Sequence, residues 1–458
     1  MKFNNFKTGL HMVLAAVLIL SVSFSGCKKD DDDDPVVIIP PPDSTITVQG
    51  EITQNTIWTS NNEYILSGFV YVKSPAVLTI QEGTIIKGDK ASKGTLIIER
   101  GAEIMAVGSS SKPIVFTSNQ PAGQRDYGDW GGIIICGKAP VNLPGGEGII
   151  EGGTNATFGG GASPDANDNS GKLKYVRIEF CGIAFQPNQE INGLSLGGVG
   201  AGTEIDYIQV SYSGDDSYEM FGGTVNLKHI VAFRGWDDDF DTDNGYSGWV
   251  QYGVSLRDPN IADQSGSNGF ESDNDGSGTA ATPNTRNVFS NISLFGPQVD
   301  ASTTINSLYK RAAHLRRNTQ TSIYNSILSG YPVGLLIDAS TTEANAMSDA
   351  LQFKNNIISG CVDPLTVNSG STFDILSWHN TAAYSNSVMT SNFDMQISDP
   401  YNLTNPNFLP SSGSPVLTGA DFSATNLSGF ETTTFRGAFG TTNWTAGWCN
   451  WTPQATEY

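Results

Sequence analysis

The feature that most constrains the fold is an internal repeat in the middle of the chain. Three eight-residue segments align without gaps, at residues 215–222, 237–244 and 267–274, and each has an aromatic residue at its fourth position. The aromatic residues are spaced by 22 and then 30 positions. Recurrence at such intervals is typical of arrays in which each unit stacks on the one before it.

Segments with the period of a β-strand surround these repeats. They alternate apolar and polar residues and stop at glycine, which is typical of strands closed by turns. Together they predict a coil of parallel strands, with neighbouring strands about 4.8 Å apart. The segments are LKYVRIEFCG (173–182), IDYIQVSYSG (205–214), LKHIVAFRG (227–235), IYNSILSG (323–330) and FKNNIISG (353–360).

Three other segments carry a resemblance to a known family: LTIQEGTIIKG (78–88), GDWGGIIICGKAP (128–140) and NPNFLPSSGSPVLTGADF (405–422). The chain resembles surface lipoproteins of Bacteroidota with a right-handed parallel β-helix, a fold shared with pectate lyases and polygalacturonases. The resemblance covers most of residues 50–458. It implies an all-β, single-domain, right-handed parallel β-helix solenoid, and it concerns fold and cell location more than activity.

The N-terminus has the pattern of an export signal. Residues 1–26 combine early lysines, an apolar run and small residues directly before Cys27, which resembles the lipobox of bacterial lipoproteins. We therefore predict a signal peptide over 1–26, a tether over 27–46 on a lipidated Cys27, and one β-helix domain with a C-terminal cap over 47–458.

The tether begins with the acidic run KKDDDDD, at residues 28–34. A lysine followed by acids resembles the signal that sends lipoproteins of Bacteroidota to the outside of the outer membrane. The sequence thus predicts a lipid anchor in the outer membrane, with the protein on the extracellular side. A net charge of −21 argues against a nucleic-acid partner, because the acidic surface would repel the phosphates.

The aligned segments place acidic side chains on one face of the coil. If the aromatic rings point inward, alternation turns their neighbours outward across three successive turns. Carboxylates about 5 Å apart repel by about 1 kcal/mol in water and by more where the dielectric constant is lower. Calcium, which takes six to eight oxygen ligands, would neutralise them. The predicted metal-ligating residues are Glu219, Asp239, Asp241, Asp243, Glu271 and Asp273.

A solvated acidic face without metal is the competing interpretation. The segment DFDTDNG (239–245) has the spacing of a calcium loop, but it fails the EF-hand test. Asn244 stands where that motif needs glycine, and Val250 stands where it needs glutamate. Any calcium site is therefore expected to span several turns of the coil rather than one loop.

A basic cluster at residues 309–319 suggests a second use of this face. If Leu315 points inward, Arg316 points outward beside Glu271, where it either ends the acidic ladder as an ion pair or takes part in catalysis. The resemblance implies the chemistry: lyases of this fold use calcium and a basic residue, and hydrolases use paired acids. The catalytic candidates are Arg316, Asp241 and Glu271.

Three further patterns carry expectations. The segments 133–137 and 178–182 match at isoleucine, cysteine and glycine, which predicts equivalent positions for Cys136 and Cys181 and permits a disulfide between them. Tryptophans and phenylalanines near the C-terminus are expected to seal the open end of the coil, or to form a sugar-stacking platform. The glycine-rich insertion at 143–171 is expected to be a surface loop over a binding face.

These observations favour a non-catalytic surface lipoprotein that is stabilised by calcium and captures a glycan or another nutrient. An outer-membrane transporter of the TonB-dependent kind is the expected partner. The alternative is a polysaccharide lyase or glycoside hydrolase that uses the acidic ladder with Arg316. The two differ in whether acids and base converge on one accessible cleft.

Overall fold

The computed structural model describes residues 42–186 and 189–458. Its main feature is a 26-stranded sheet in which all strand pairs are parallel, as the repeat predicts. This confirms the all-β coil of parallel strands. The predicted signal peptide, the predicted lipidation site Cys27 and most of the predicted tether lie outside the described residues.

The strands are short, and each turn of the coil, here called a rung, contributes two or three of them. In chain order they are β1 (Ser44–Ile52), β2 (Thr56–Trp58), β3 (Asn62–Val72), β4 (Val77–Ile80), β5 (Ile85–Gly88), β6 (Thr95–Ile98), β7 (Glu103–Val107), β8 (Ile114–Ser118), β9 (Gly132–Cys136), β10 (Gly148–Ile149), β11 (Thr157–Phe158), β12 (Gly171–Glu179), β13 (Ile183–Gln186), β14 (Gln189–Ile191), β15 (Leu194–Gly197), β16 (Glu204–Ser211), β17 (Tyr218–Phe221), β18 (Asn226–Phe233), β19 (Phe240–Asp243), β20 (Trp249–Leu256), β21 (Asn268–Ser272), β22 (Val288–Phe295), β23 (Arg311–Leu315), β24 (Ser322–Tyr324), β25 (Ile327–Ser329), β26 (Val333–Ile337), β27 (Phe353–Lys354), β28 (Ile357–Ser359), β29 (Asp363–Val367), β30 (Ser387–Met389), β31 (Ile397–Asp399) and β32 (Asn407–Pro410).

Helices occur only as short interruptions among the described residues. Besides single 3-10 turns there are two α-helices, α1 (Ser340–Met347) and α2 (Ile375–His379). The insertion after β9 adds no rung to the coil. It carries the antiparallel pair β10 and β11 instead, in agreement with the predicted surface loop.

The strands stack into three faces. On a typical rung the chain passes along the first face as β17, bends once within β18 to form the second and third faces, and returns to the first face as β19. The same path repeats through β20 and β21. Residues at equal positions on successive rungs are therefore neighbours in space.

The bend between the second and third faces has a left-handed backbone conformation on seven successive rungs. The residues that occupy it have φ angles between 46° and 63°. Asparagine tolerates this region better than most residues, and stacked rings offset its cost elsewhere. In order along the coil the bend holds Tyr175, Tyr207, His229, Tyr252, Asn291, Asn325 and Asn355.

Aromatic rings fill the interior of the coil in the middle rungs. Tyr218, Phe240 and Phe270 lie in register on β17, β19 and β21, and all three are fully buried. Their ring centroids are 5.7 Å apart at each step. The predicted inward column of rings is confirmed, and with it the outward direction of the side chain that follows each ring.

The C-terminal residues 419–458, here called the return segment, do not seal an end of the coil as predicted. They run back along its side, over the bend between the second and third faces. Asn355 donates to the carbonyl of Gly419 at 3.2 Å, and Gln209 donates to that of Asn450 at 2.8 Å. At the far end the Tyr458 hydroxyl donates to Glu179 at 2.7 Å.

The cause is the aromatic column at the bend. Trp448 packs edge-on against Tyr175 and Tyr207, at 5.8 and 5.9 Å, and Trp444 lies 5.2 Å from His229. Packing against these ring edges removes their apolar surface from water. The tryptophans therefore pack against protein rings rather than forming a sugar platform.

The compact unit spans Pro42–Tyr458. The predicted domain start at residue 47 falls inside β1, which begins at Ser44. Right-handed winding stays a prediction that agrees with the usual hand of parallel crossover connections.

Candidate functional site: an acidic groove

An outward ladder of carboxylates runs along the first face. Glu219, Asp241 and Glu271 occupy the same position on β17, β19 and β21 and are paired in register. Each follows one of the inward aromatic rings directly, so strand alternation turns it away from the core. These three predicted ligands come together as the sequence indicated.

Asp239 is the exception, and the expectation that it belongs to this outward patch is wrong. It precedes β19 in the corner of the rung, where strand alternation does not apply. Its side chain is fully buried and lies 3.0 Å from the guanidinium of Arg257, and Tyr331 donates to it at 3.2 Å. Asp239 is therefore neutralised by the protein itself.

Asp243 and Asp273 lie further along the first face, beyond the cavity. Asp243 pairs in register with Phe221. Asp273 is held by two arginines, with 2.9 Å to Arg316 and 3.0 Å to Arg317. Neither residue contributes to the groups of ligand atoms described below.

The ladder forms one wall of a cavity of about 660 Å³. Five further aspartates from the corner loops line it, and two glutamates reach it from the insertion and from β14. We call this cavity the acidic groove. Its lining consists of Glu151, Glu190, Asn192, Gly214, Asp215, Asp216, Glu219, Asp237, Asp238, Asp241, Asp263, Gln264, Ser265, Gly266, Glu271 and Arg316.

The sequence repeat also contains the corner aspartates, although they are not among the predicted metal ligands. Asp215–Asp216 and Asp237–Asp238 open two of the aligned segments, at the same spacing of 22 residues. Backbone bonds link them along the coil: the amide of Asp238 donates to Asp216 at 2.8 Å, and the amide of Asn268 donates to Asp238. Glu151 had no such signal, because a loop brings it to the groove.

Three overlapping groups of carboxylates have the geometry to hold a metal ion. Within each group one oxygen from every residue lies within 4.8 Å of the others. Neighbouring groups share Asp216 or Asp241, so they form a continuous line along the groove. The groups are Asp215–Asp216–Asp237, Asp216–Glu219–Asp241 and Asp238–Asp241–Glu271.

Burial and mutual repulsion make the ionised forms of these carboxyl groups unfavourable without a nearby positive charge. Burial, followed by repulsion from neighbouring carboxylates, raises the pKa of Asp216, Glu219, Asp238 and Asp241 well above the usual range. Burial raises the pKa of Asp237 to about 6. A bound cation would stabilise the ionised forms and reverse these shifts.

Two oxygens in the groove have no hydrogen-bond partner within the described protein. They are Oδ2 of Asp215 and Oδ1 of Asp241, and both are shielded from solvent. Carboxylate oxygens that are buried without a partner carry a desolvation cost. A ligand that accepts their lone pairs, such as a hard cation, would remove that cost.

Arg316 closes one end of the ladder. Its guanidinium contacts Glu271 and Asp273, and His314 lies between Glu271 at 3.3 Å and Asp338 at 2.9 Å. Burial alone would lower the pKa of Arg316, but Glu271 and Asp273 outweigh it and raise that pKa. A guanidinium held in this way stays protonated. The three catalytic candidates lie together, but Arg316 is not placed to act as a base.

The two cysteines do not occupy equivalent positions. Cys136 ends β9 on the first face, paired with Gly197, whereas Cys181 follows β12 at the corner after the third face. Both thiols are free and buried. The matching sequence reflects two strands that end alike on different faces, so the expected adjacency and the optional disulfide are wrong.

Residues 50–399 match the profile of a family described as "Pectate-lyase like beta helix domain". No curated protein matches the chain. Within residues 42–186 and 189–458, none of the helices has the length and apolar character needed to cross a bilayer.

Proposed function

The chain belongs to the pectate-lyase-like β-helix domains, and we propose that it is a non-catalytic binding protein of this fold. In this proposal the acidic groove holds calcium, and the calcium-loaded surface captures a glycan. The family fixes the scaffold and leaves the activity open, because function on this fold resides in the side chains of the groove.

One observation carries the proposal: the three overlapping carboxylate groups along the groove. Their oxygens are spaced by the strand register, and they include buried atoms without partners. Calcium accepts six to eight oxygens in flexible geometry, whereas magnesium requires a near-octahedral site and retains its waters. A line of carboxylates on stacked strands suits the larger and more adaptable ion.

Arg316 supports a binding role over a lyase. A lyase needs a base that gives up its proton near neutral pH, and Arg316 is fixed in ion pairs with Glu271 and Asp273. Its place at the end of the ladder fits the structural interpretation, in which it neutralises the last rung of acids.

A glycoside hydrolase is the second candidate, and the raised pKa values of Glu219 and Asp241 favour it. A carboxyl group that stays protonated near neutral pH can act as a general acid beside an ionised partner. Release of reducing ends from a panel of neutral and uronate polysaccharides, abolished by Asp241→Asn, would establish this candidate over the binding role.

Calcium binding is tested by thermal melting. At a calcium concentration of about 100 Kd the free energy of unfolding should rise by about 2.7 kcal/mol, and chelator should remove the gain. Asp241→Asn should lose most of the shift and should stabilise the calcium-free protein, because one repulsive charge is gone. Asp363→Asn, an exposed site on the same face, should respond like wild type.

Sodium chloride provides the opposing outcome. Screening would stabilise an acidic face that binds no metal, since repulsion weakens over a Debye length of about 10 Å at 0.1 M salt. Stabilisation by sodium chloride together with no response to calcium would show a solvated acidic face and rule out the metal site.

The N-terminal pattern supports a cell-surface location. We propose that Cys27 carries the lipid anchor, that the acidic tether directs the protein to the outside of the outer membrane, and that a TonB-dependent transporter receives the captured ligand. Cys27→Ser should move the protein to soluble fractions. Deletion of residues 30–34 should keep it membrane-bound but protect it from protease added to whole cells, and unchanged cleavage would contradict the export signal.

A further inference from the structure

A large aromatic side chain stands exposed beside the acidic groove. Trp236 is 39% exposed, and the residue that follows it, Asp237, lines the groove. Exposure of an indole is costly in a fold whose other large rings are mainly buried. The ring directly precedes the aspartates at positions 237–239, but calcium binding gives it no role.

Hydrogen bonds fix Trp236 in place. Its indole nitrogen donates to the carbonyl of Ala262 at 3.1 Å, and its own carbonyl accepts from Ser267 at 2.7 Å and from the amide of Asp263 at 3.1 Å. The ring centroid lies 5.7 Å from that of Tyr127. A ligand that stacks on this indole therefore pays little to order it.

The same bonds join the tryptophan to the acids of the groove. Asp263 lines the groove. The hydroxyl of Ser265 donates to Asp237 at 2.6 Å, and its amide donates to Asp263 at 2.8 Å. The exposed indole and these two carboxylates thus belong to one rigid corner, formed by residues 235–238 and 263–267.

The charge of the groove decides what kind of ligand can approach this corner. Among the described lining residues, ten carboxyl groups face one guanidinium. Two divalent ions and Arg316 together would neutralise five of those charges. The remaining negative charge repels an anionic chain and attracts a cationic one.

We propose that the corner at Trp236 is a binding subsite for a sugar chain with free amino groups. The apolar face of a hexosamine ring would stack on the indole, and its ammonium group would form a charge-assisted pair with Asp263, which belongs to none of the calcium groups. The inference rests on the proposed function in one respect, namely that the groove captures a glycan.

Calorimetry with three hexamers of defined chemistry tests the subsite in calcium-saturated buffer: β-1,4-linked glucosamine, its fully N-acetylated counterpart and galacturonate. The glucosamine hexamer should bind about ten-fold or more tightly than the acetylated one, and the galacturonate hexamer should not bind. Trp236→Ala should weaken binding about ten-fold, within the range of aromatic stacking and cation–π contacts, while Trp236→Phe keeps most of it. Phe393→Ala, at another exposed ring, should change nothing.

The calcium-dependent melting shift separates this inference from the proposed function. It should be unchanged in Trp236→Ala, which also shows that the variant is folded. Three results, each with a normal calcium shift, would overturn the subsite alone. They are equal affinity for the glucosamine and acetylated hexamers, tighter binding of galacturonate, and full affinity for the glucosamine hexamer in Trp236→Ala. A wild-type protein that lacks the calcium shift but prefers the amine hexamer would overturn the calcium site alone.

Discussion

Two ladders of like residues run along this coil, and they differ in whether the protein itself satisfies their hydrogen-bonding groups. At the bend between the second and third faces, Asn291, Asn325 and Asn355 follow one another on successive rungs, and on the first face carboxylates do so. Both depend on the parallel register, which places equal positions of neighbouring rungs side by side.

The protein itself completes the asparagine ladder. An amide offers donors and acceptors together, so each rung can satisfy its neighbours and the return segment. Asn325 donates to the carbonyl of Asp421 at 3.1 Å and accepts from its amide at 2.9 Å. Asn291 likewise donates to the carbonyl of Phe435 at 2.9 Å.

The carboxylate ladder has only acceptors, so stacking adds repulsion and leaves oxygens such as Asp241 Oδ1 without a partner. The comparison separates two kinds of ladder on a repetitive scaffold. A ladder whose hydrogen-bonding groups the chain satisfies is structural, and a ladder with unsatisfied oxygens is a candidate ligand site.

The largest expected loss of stability comes from Asp239, a carboxylate near the carboxylate ladder whose charge Arg257 already neutralises. Asp239→Asn would leave Arg257 as a buried unpaired charge, which typically costs about 3–5 kcal/mol of unfolding free energy. The calcium response should survive, because Asp239 lies outside the groove. Chemical unfolding with and without calcium measures both quantities, and a lost calcium response with little destabilisation would place Asp239 back among the ligands.

A carboxylate introduced into the asparagine ladder should lower the free energy of unfolding by a somewhat smaller amount. In Asn325→Asp the left-handed backbone remains tolerable, but the new charge faces the carbonyl of Asp421 in a fully buried position. We expect a loss of about 3 kcal/mol at neutral pH, from an unsatisfied and charged group. The loss should shrink near pH 4, where the new carboxyl is protonated. An equal loss at both pH values would mean that shape, not charge, is responsible.

The smallest expected effect on stability comes from pH. A protonated carboxyl group has a donor as well as acceptors, as an asparagine amide does. Burial raises the pKa of Asp243 to about 7 and that of Asp237 to about 6, from 3.8. Because the folded state holds these protons more tightly, their stabilising contribution is complete below about pH 4 and is lost as pH rises to about 7. The melting temperature of the calcium-free protein should therefore fall across this window. Asp243→Asn should flatten its upper part, and saturating calcium should remove the lower part, because Asp237 belongs to a carboxylate group of the groove and Asp243 does not.

The sequence predicted the register of the carboxylate ladder because three segments repeat the same pattern of ring and acid. Wherever local alternation governs direction, as for Glu219, Asp241 and Glu271, the outward placement is correct. Asp239 was misplaced because it stands in a corner, where direction depends on the turn and on a distant arginine.

Other features depend on contacts that local sequence does not encode. Glu151 reaches the groove through an insertion loop, and Cys136 and Cys181 end similar strands on different faces. The C-terminal tryptophans looked like a cap because aromatic content shows that a segment packs, but not on which surface. Exposure of Trp236 became visible only once the corner loops were in place.

The return segment changes how such a coil can assemble. A stack of rungs alone has only neighbour-to-neighbour contacts, so it can grow or fray one unit at a time. Here residues near the end of the chain bind a rung in the N-terminal part of the coil: Arg125, between β8 and β9, donates to the carbonyl of Pro453 at 2.9 Å, across 328 positions of sequence. Early rungs must wait for the last part of the polypeptide to be made before their outer surface is closed. The return segment thus links rungs that are far apart in sequence, and we expect the coil to fold in one cooperative step for that reason.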